Sequence, residues 1–268
     1  MQDILLVHQP YVPATLAAAQ TVVAYLDQRD VAYHLCSAQE LASEPPDAVR
    51  LAICFGGDGT ALRTARWLSG TAAPVIPVRM GKLSFLGELS PAELPSGLDP
   101  YLSGDFWRDE RAMLSVCRGN ERSTAVNDVV LVRSSSPRAV HVEVIVDGAS
   151  VVTYLADGVI VATPTGSTAY SLAAGGPVLA PALRSMVVTP VAPHLTALRS
   201  LVLPANATVD LINRGYAAEV LTVDGQVDLS VEPGGGVTVT LAQETSVFAR
   251  RGSRSAFFEG LAAKLSRG

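Results

Sequence analysis

The chain has 268 residues, of which 49% are hydrophobic and 17% charged, with a net charge of −5; that length supports one large domain or two moderate ones with substantial cores. No uninterrupted apolar run of about 18 residues argues for a membrane span, and the start MQDILLV has neither the basic region nor the long apolar stretch of a secretion signal. With no basic cluster beyond Arg250, Arg251 and Arg254, nucleic acid is a poor candidate partner.

The first third alternates strands and helices. Residues 3–8 read as a strand, 15–29 as a helix with apolar residues at helical spacing, and 31–36 as extended. Residues 51–55, LAICF, form a short continuous apolar run of the kind that fills a buried parallel strand. A glycine loop and a helix to about Leu68 follow, then a strand over 74–79. This alternation implies a parallel, Rossmann-like sheet with right-handed crossovers. Residues 90–104, rich in Pro, Ser, Gly and Asp, read as a helix-poor connection at a domain border.

Beyond about Phe106 the pattern changes. Strands are expected over 113–118, 125–133, 140–147, 151–155, 159–163, 185–191, 200–203, 208–212, 219–223, 227–231 and 237–241. Many short strands separated by turn residues indicate a β-rich, sandwich-like domain, interrupted only by a helix-like segment at 168–174. Phe257, Phe258, Leu261 and Leu265 give the end of the chain a helical apolar face, which is expected to pack on the first domain. The expected division is an α/β phosphate-loop domain over 1–107, joined by a C-terminal helix at 253–268, and a β-rich domain over 108–252. Cys36, Cys54 and Cys117 lie far apart in apolar segments and read as small buried hydrophobes in a reducing compartment. The four histidines show no metal-ligand spacing.

Three constellations carry chemistry. In the first, GGDGT at 56–60, glycines follow a buried strand and precede a helix, so backbone N–H groups can converge on a phosphate. An aspartate there would repel phosphate. Asp58 makes sense as a group that takes a proton from a hydroxyl or reaches a metal on the phosphates; the bland alternative is a helix N-cap. The patterns of a P-loop, a dinucleotide-binding GxGxxG around this loop and a GxSxG nucleophile elbow are all missing. In the second, ADGVIVATPTGSTAYSLAAGGPVLAP at 156–181, a strand ends in more hydroxyl residues than a turn requires. The third is Asn127-Asp128, polar residues inside an apolar run, costly unless paired or bound to a ligand; a strand end or bulge is its structural alternative.

GGDGT, then the ND pair, then DG and TPTGSTAYSLAAGGP over 157–177, then VDGQ at 223–226, in that order along most of the chain, resemble the NAD kinases. GGDGT alone is shared with lipid kinases and 6-phosphofructokinases, whereas TPTGSTAY with the downstream AGGP is specific. The resemblance implies phosphoryl transfer from ATP, or polyphosphate in some members, to the adenosine 2′-hydroxyl of NAD, with Mg²⁺, in a cytoplasmic homodimer or homotetramer. NAD would bind between an α/β and a β-rich domain. It implies Asp58 as catalytic base, Gly56, Gly57, Gly59 and Thr60 shaping the phosphate loop with Arg63 on the helix behind it, and Asn127 at the adenine region. Asp128 and Asp157 would take the ribose hydroxyls, and Thr165, Thr168, Ala169 and Tyr170 would contact the nucleotide; no residue is assigned to a metal. The chain departs from the pattern at Arg79, where the family usually has Asn, at Ser84, where it has Gly, and at Ala173, where many members have Ser. The alternatives are a lipid or sugar kinase sharing only GGDGT, and a catalytically silent NAD(P)-binding regulator.

Overall fold

The computed structural model describes residues 3–41, 49–81, 84–134, 139–194 and 198–265. It divides into two compact units, Met1–Glu110 with Ser246–Gly268, and Arg111–Thr245. The first unit thus includes residues 246–252, which the strand pattern of the sequence assigns to the β-rich part.

The first unit runs β1 (Asp3–His8), α1 (Pro13–Asp27), β2 (Tyr33–Ser37), β3 (Val49–Gly56), α2 (Asp58–Trp67), β4 (Val75–Arg79) and α3 (Asp99–Leu102). Its strands lie in the order β2-β1-β3-β4, all parallel. Ile4 to Val7 of β1 and Leu51 to Phe55 of β3 are buried without alternation, as strands covered on both faces must be. Helix α1 turns Thr15, Ala19, Val22 and Leu26 inward, the i, i+4, i+7 stripe of an amphipathic helix. The segment expected to be helix-poor instead folds into successive short turns, 3₁₀ at Pro91–Glu93 and Ser96–Leu98 and then α3. Ser90 and Glu93 form a capping box there, and Leu98 and Tyr101 are buried. Polar, Pro-rich composition concealed these two anchors.

The second unit contains most of β5 (Trp107–Arg118), then β6 (Glu121–Ala125), β7 (Asp128–Arg133), β8 (Val140–Val146), β9 (Ala149–Ala156), β10 (Gly158–Ala162), α4 (Tyr170–Ala173), β11 (Ser185–Val191), β12 (Leu201–Pro204), β13 (Val209–Asn213), β14 (Glu219–Val223) and β15 (Val227–Val231). The long β16 (Gly236–Arg250) begins in this unit and ends in the first, before α5 (Ala256–Leu265). Six strands form an antiparallel sheet in the order β12-β11-β10-β7-β14-β15. β8, β9, β13 and the start of β16 belong to the opposing sheet. Val129, Leu131, Val159, Val161, Leu221 and Val223 from the first sheet share one core with Val142, Val144, Tyr154, Val209, Leu211 and Val239 from the second. The β-rich reading therefore holds as a two-sheet sandwich. Val130, Ile160, Ala162 and Val187 on the outer face are covered by Leu179 and Ala174, so β7 and β10 read as continuous apolar runs because the segment after β10 folds back over them.

Residues 107–112 extend β5 well before the expected start at 113, and β16 runs past the expected end at 241. The expected strand over 125–133 is two strands, β6 and β7, broken at Val126-Asn127. Of the described α5 side chains, Phe257 and Leu261 are half-buried and Phe258 is exposed. The three cysteines are free, Cys36 and Cys54 buried and Cys117 half-buried.

A buried cation closes the first unit. Arg250 donates to the Leu86 carbonyl at 2.7 Å and pairs with Glu88 at 3.1 Å and Asp109 at 3.2 Å. Glu88 also accepts from Tyr101 Oη at 2.7 Å and from the Arg251 amide at 2.8 Å. Removing the guanidinium takes a buried cation away from Glu88 and Asp109, and breaking a buried pair in this way should cost about 3–5 kcal/mol of stability in Arg250→Ala, measured by urea denaturation. A loss under 1 kcal/mol, the range of surface pairs, would show that these carboxylates find water instead.

Candidate active site

The carboxyl ends of the parallel strands of the first unit bring His8, Gly56 and Arg79 to one edge, with His8 opposite Phe55 and Gly56 opposite Arg79 in the register. The GGDGT loop leaves that edge. Gly56 has a steric duty: a Cβ there would lie 2.3 Å from Thr60 Oγ1, and Thr60 is buried. Gly57 and Gly59 have none, since a Cβ on either would meet nothing within 4 Å. Packing thus requires one glycine of the three, and the other two leave open space beside the first turn of α2.

Asp58 does not cap its helix. Gly57 is the N-cap, without a side-chain cap bond. The Asp58 carboxylate instead accepts from Ser84 Oγ (2.5 Å, to Oδ1), the Phe85 amide (2.8 Å, to Oδ2) and the Leu86 amide (3.3 Å, to Oδ1). Ser84 Oγ in turn accepts from the Gly87 amide at 2.6 Å. Arg63, on α2, reaches the Ala38 carbonyl at 3.2 Å beyond the end of β2.

The second unit has its own polar centre. The Asp224 carboxylate accepts the backbone N–H groups of Val126 (3.0 Å), Asn127 (2.8 Å) and Asp128 (3.2 Å), and this breaks the strand between β6 and β7. Asp224 and Gly225 both have positive φ, 50° and 62°, as the tight Asp-Gly hairpin turn between β14 and β15 demands. The Asp128 side chain is buried. Burial first, and the Asp224 charge second, raise its carboxyl from the usual 3.8 to about 7.

The loop after β10 packs on this break. The Thr163 amide donates to the Asn127 carbonyl at 2.8 Å, and Thr163 Oγ1 donates to the Val126 carbonyl at 2.7 Å. Gly166 presses so close that a Cβ would lie 2.1 Å from the Asn127 oxygen. Asn127, Asp128 and residues 163–166 therefore stand together, although far apart in sequence. Several hydroxyls of the loop are committed to its own shape: Ser167 to the Pro164 carbonyl at 2.7 Å, Thr168 to the Thr165 carbonyl at 3.1 Å, and Ser171 to Thr189 at 3.1 Å. Thr168 and Ala169 are half-buried and Tyr170 is exposed. Arg111, 7% exposed, donates to Thr165 Oγ1 at 3.2 Å and sets a buried cation behind the loop.

Asp157 does not join this group. It precedes Gly158 at the start of β10, whereas Asp128 is paired with Ala162 at the end. Five strand residues, about 17 Å, separate the two positions, and Asp157 pairs with Arg133 at 3.4 Å. Within one copy of the chain, Asp128 and Asp157 therefore stand at opposite ends of the β7–β10 pair and do not meet at one hydroxyl. Sequence reasoning also left Asp224 and Arg111 without a role. DG reads as a hairpin turn, which it is, and that hides the carboxylate's second task; Arg111 sits in the charged run RDER, which resembles a solvated edge.

Residues 39–106 match the model of the ATP-NAD kinase N-terminal domain, and residues 126–251 that of the ATP-NAD kinase C-terminal domain. The chain belongs to the NAD kinase family. It is 36% identical to an NAD kinase of Chloroflexus aurantiacus over 100% of this chain and 99% of that protein. It is 37% identical to an NAD kinase of Heliobacterium modesticaldum over 96% of this chain and 95% of that protein. Its fold is that of a yeast NADH kinase solved with NADH (TM-score 0.87, 24% identity, 99% of this chain and 88% of that one). It is also that of an Archaeoglobus fulgidus NAD kinase solved with ATP (TM-score 0.78, 23% identity, 98% of each chain). As a family member the chain is a phosphotransferase, and its reaction is the phosphorylation of NAD to NADP. The match over both units sets aside a lipid or sugar kinase sharing only the glycine loop. Among the described residues no helix is long and apolar enough to cross a membrane.

Gly166→Ala should destabilise the second unit by about 1–3 kcal/mol, the range for overpacking, because the Asn127 carbonyl must move; a denaturation midpoint equal to wild type would refute the close packing. Asp128 generates a pH dependence. Its carboxyl titrates near 3.8 when unfolded and at about 7 when folded, so between those values the folded chain binds the proton more tightly. Its contribution to stability is present below about pH 4, falls as pH rises, and is lost above about 7. Urea denaturation of Asp128→Asn at pH 5 and pH 8 should show a smaller difference than in wild type. Glu219, raised to about 7 by burial, will keep part of the slope; an unchanged difference would count against the Asp128 assignment.

Proposed function

We propose that the chain transfers the γ-phosphoryl group of ATP to the adenosine 2′-hydroxyl of NAD, with Asp58 as general base. The observation that carries this reading is the Asp58 carboxylate, which stands at the carboxyl end of β3, where α/β sheets take ligands, and caps no helix. Gly57 and Gly59 leave open space beside it, and the first turn of α2 favours an anion. The donor phosphates occupy this loop, shaped by Gly56 and Thr60. In the second unit Asn127, Asp128, Thr165, Thr168, Ala169 and Tyr170 hold NAD, the first two at the adenosine and the exposed Tyr170 ring against the nucleotide. In this reading the first unit supplies the phosphate loop and the second holds NAD. A homodimer or homotetramer and a cytoplasmic location belong to the same reading.

The chemistry asks little covalent work of the protein. Positioning and charge stabilisation dominate phosphoryl transfer, and a base that accepts the hydroxyl proton as the bond to phosphorus forms adds about 10²–10⁴-fold. Magnesium neutralises the donor phosphates when bound. No residue of this chain is assigned to it; Mg²⁺ commonly binds through substrate phosphates.

Purified protein incubated with NAD, Mg²⁺ and either ATP or polyphosphate should form NADP with ATP; no NADP with either donor would overturn the proposal and favour a silent NAD(P)-binding protein. Asp58→Asn should lower kcat by about 10²–10⁴-fold, with a much smaller change in KM for NAD. A folded Asp58→Asn variant with near-wild-type kcat would remove the base from the mechanism.

A further inference from the structure

Asp58 is held from outside its own loop. Four lone-pair sites are open to donors on a carboxylate. On Asp58, Oδ1 takes Ser84 Oγ–H at 2.5 Å and Leu86 N–H at 3.3 Å, and Oδ2 takes Phe85 N–H at 2.8 Å. Among the described residues, Oδ1 is therefore filled and Oδ2 keeps one site. Ser84 is the only side chain among these donors, and it is buried. Its hydroxyl is used twice, because the Gly87 amide donates to the same Oγ at 2.6 Å. That second bond turns the hydroxyl hydrogen away from Gly87 and toward Asp58. Gly87 is packed so closely that a Cβ there would lie 2.8 Å from both Ser84 Oγ and Arg79 Cβ. The relay Gly87 N–H to Ser84 Oγ–H to Asp58 Oδ1 thus fixes the rotation of the carboxylate from a packed loop.

We infer that Ser84 is a positioning residue for the reaction: by occupying Asp58 Oδ1 it leaves the remaining site on Oδ2 to receive the proton of the substrate hydroxyl. This rests on Asp58 being the base. Ser84 stands where the resembled pattern has glycine, so the device belongs to this chain's own sequence. Without the hydroxyl, the carboxylate keeps only two amide bonds, Phe85 at 2.8 Å on Oδ2 and the long Leu86 bond on Oδ1, so its terminal torsion, which is intrinsically broad, is less restrained. The loss falls on the transition state, where the position of the accepting oxygen matters, rather than on NAD binding.

The test is a double-mutant cycle of Ser84→Ala and Asp58→Asn, reading kcat, KM for NAD and thermal midpoint with ATP and Mg²⁺. Ser84→Ala should lower kcat about tenfold, the scale of one hydrogen bond to a charged group, with KM within about twofold. In the Asp58→Asn background the same change should alter the residual rate by less than about twofold, because the partner it positions is no longer a base. Ser84→Gly, which removes the hydroxyl and adds no methyl group, should match Ser84→Ala. If Asp58→Asn is crippled while Ser84→Ala keeps wild-type kcat, this inference fails and the base stands. A penalty that persists undiminished without Asp58, or that follows the thermal midpoint, also overturns it, leaving a purely structural serine. If Asp58→Asn itself keeps wild-type kcat, both fall.

Discussion

The second unit is organised around one carboxylate facing three consecutive backbone N–H groups. Asp224 takes the amides of Val126, Asn127 and Asp128, which a continuous strand would have spent on its ladder. Because they are taken, the strand breaks there, and the broken backbone turns its carbonyls toward the loop after β10. Thr163 collects both, the Val126 carbonyl through its hydroxyl and the Asn127 carbonyl through its amide. Gly166 must then be glycine, since the Asn127 oxygen fills the space of a side chain. One hairpin aspartate thereby fixes where Asn127 and Asp128 stand and where the hydroxyl-rich loop begins. It also supplies the charge that, after burial, helps hold the Asp128 carboxyl at about 7.

Buried cations do comparable work in both units. Arg250 ties the end of β16 to Glu88, Asp109 and the Leu86 carbonyl. Leu86 is also one of the amide donors to Asp58, so the arginine that neutralises two buried acids anchors the segment that holds the proposed base. Arg111 stands behind Thr165 in the second unit. A charge placed this way is costly in isolation and acceptable only when its donors are met. Such residues stabilise an arrangement without touching a ligand.

The sequence showed most of the fold because its main signals are local. The apolar runs of β1 and β3 and the helical stripe of α1 follow from burial on both faces or on one. What it concealed depends on distant partners. The break at Val126-Asn127 lies in an apolar run, and its cause is 98 residues away at Asp224. The early start of β5 runs through the charges of RDER, which have no strand signature until Arg111 is seen to be buried. Of the candidate site, the nearness of Asn127-Asp128 to the loop at 163–166 could be argued from polar residues seeking partners. The separation of Asp157 from Asp128 could not, because only the antiparallel register of β7 and β10 puts them at opposite ends.

The two aspartates that matter most are held in a similar way and left in different states. Asp224 accepts two amides on Oδ1 and one on Oδ2, and Asp58 accepts a hydroxyl and an amide on Oδ1 and an amide on Oδ2. Asp224 has a further interaction and sits in a hairpin turn pressed against the strand it breaks. Asp58 begins a helix, half-buried, between glycines whose missing side chains leave open space. The same anchoring therefore gives a structural clamp in one place and, in the proposed reaction, an oriented acceptor in the other. What separates them is access: a carboxylate locked by backbone amides becomes useful for proton transfer only where the chain leaves one of its lone pairs facing room for a substrate.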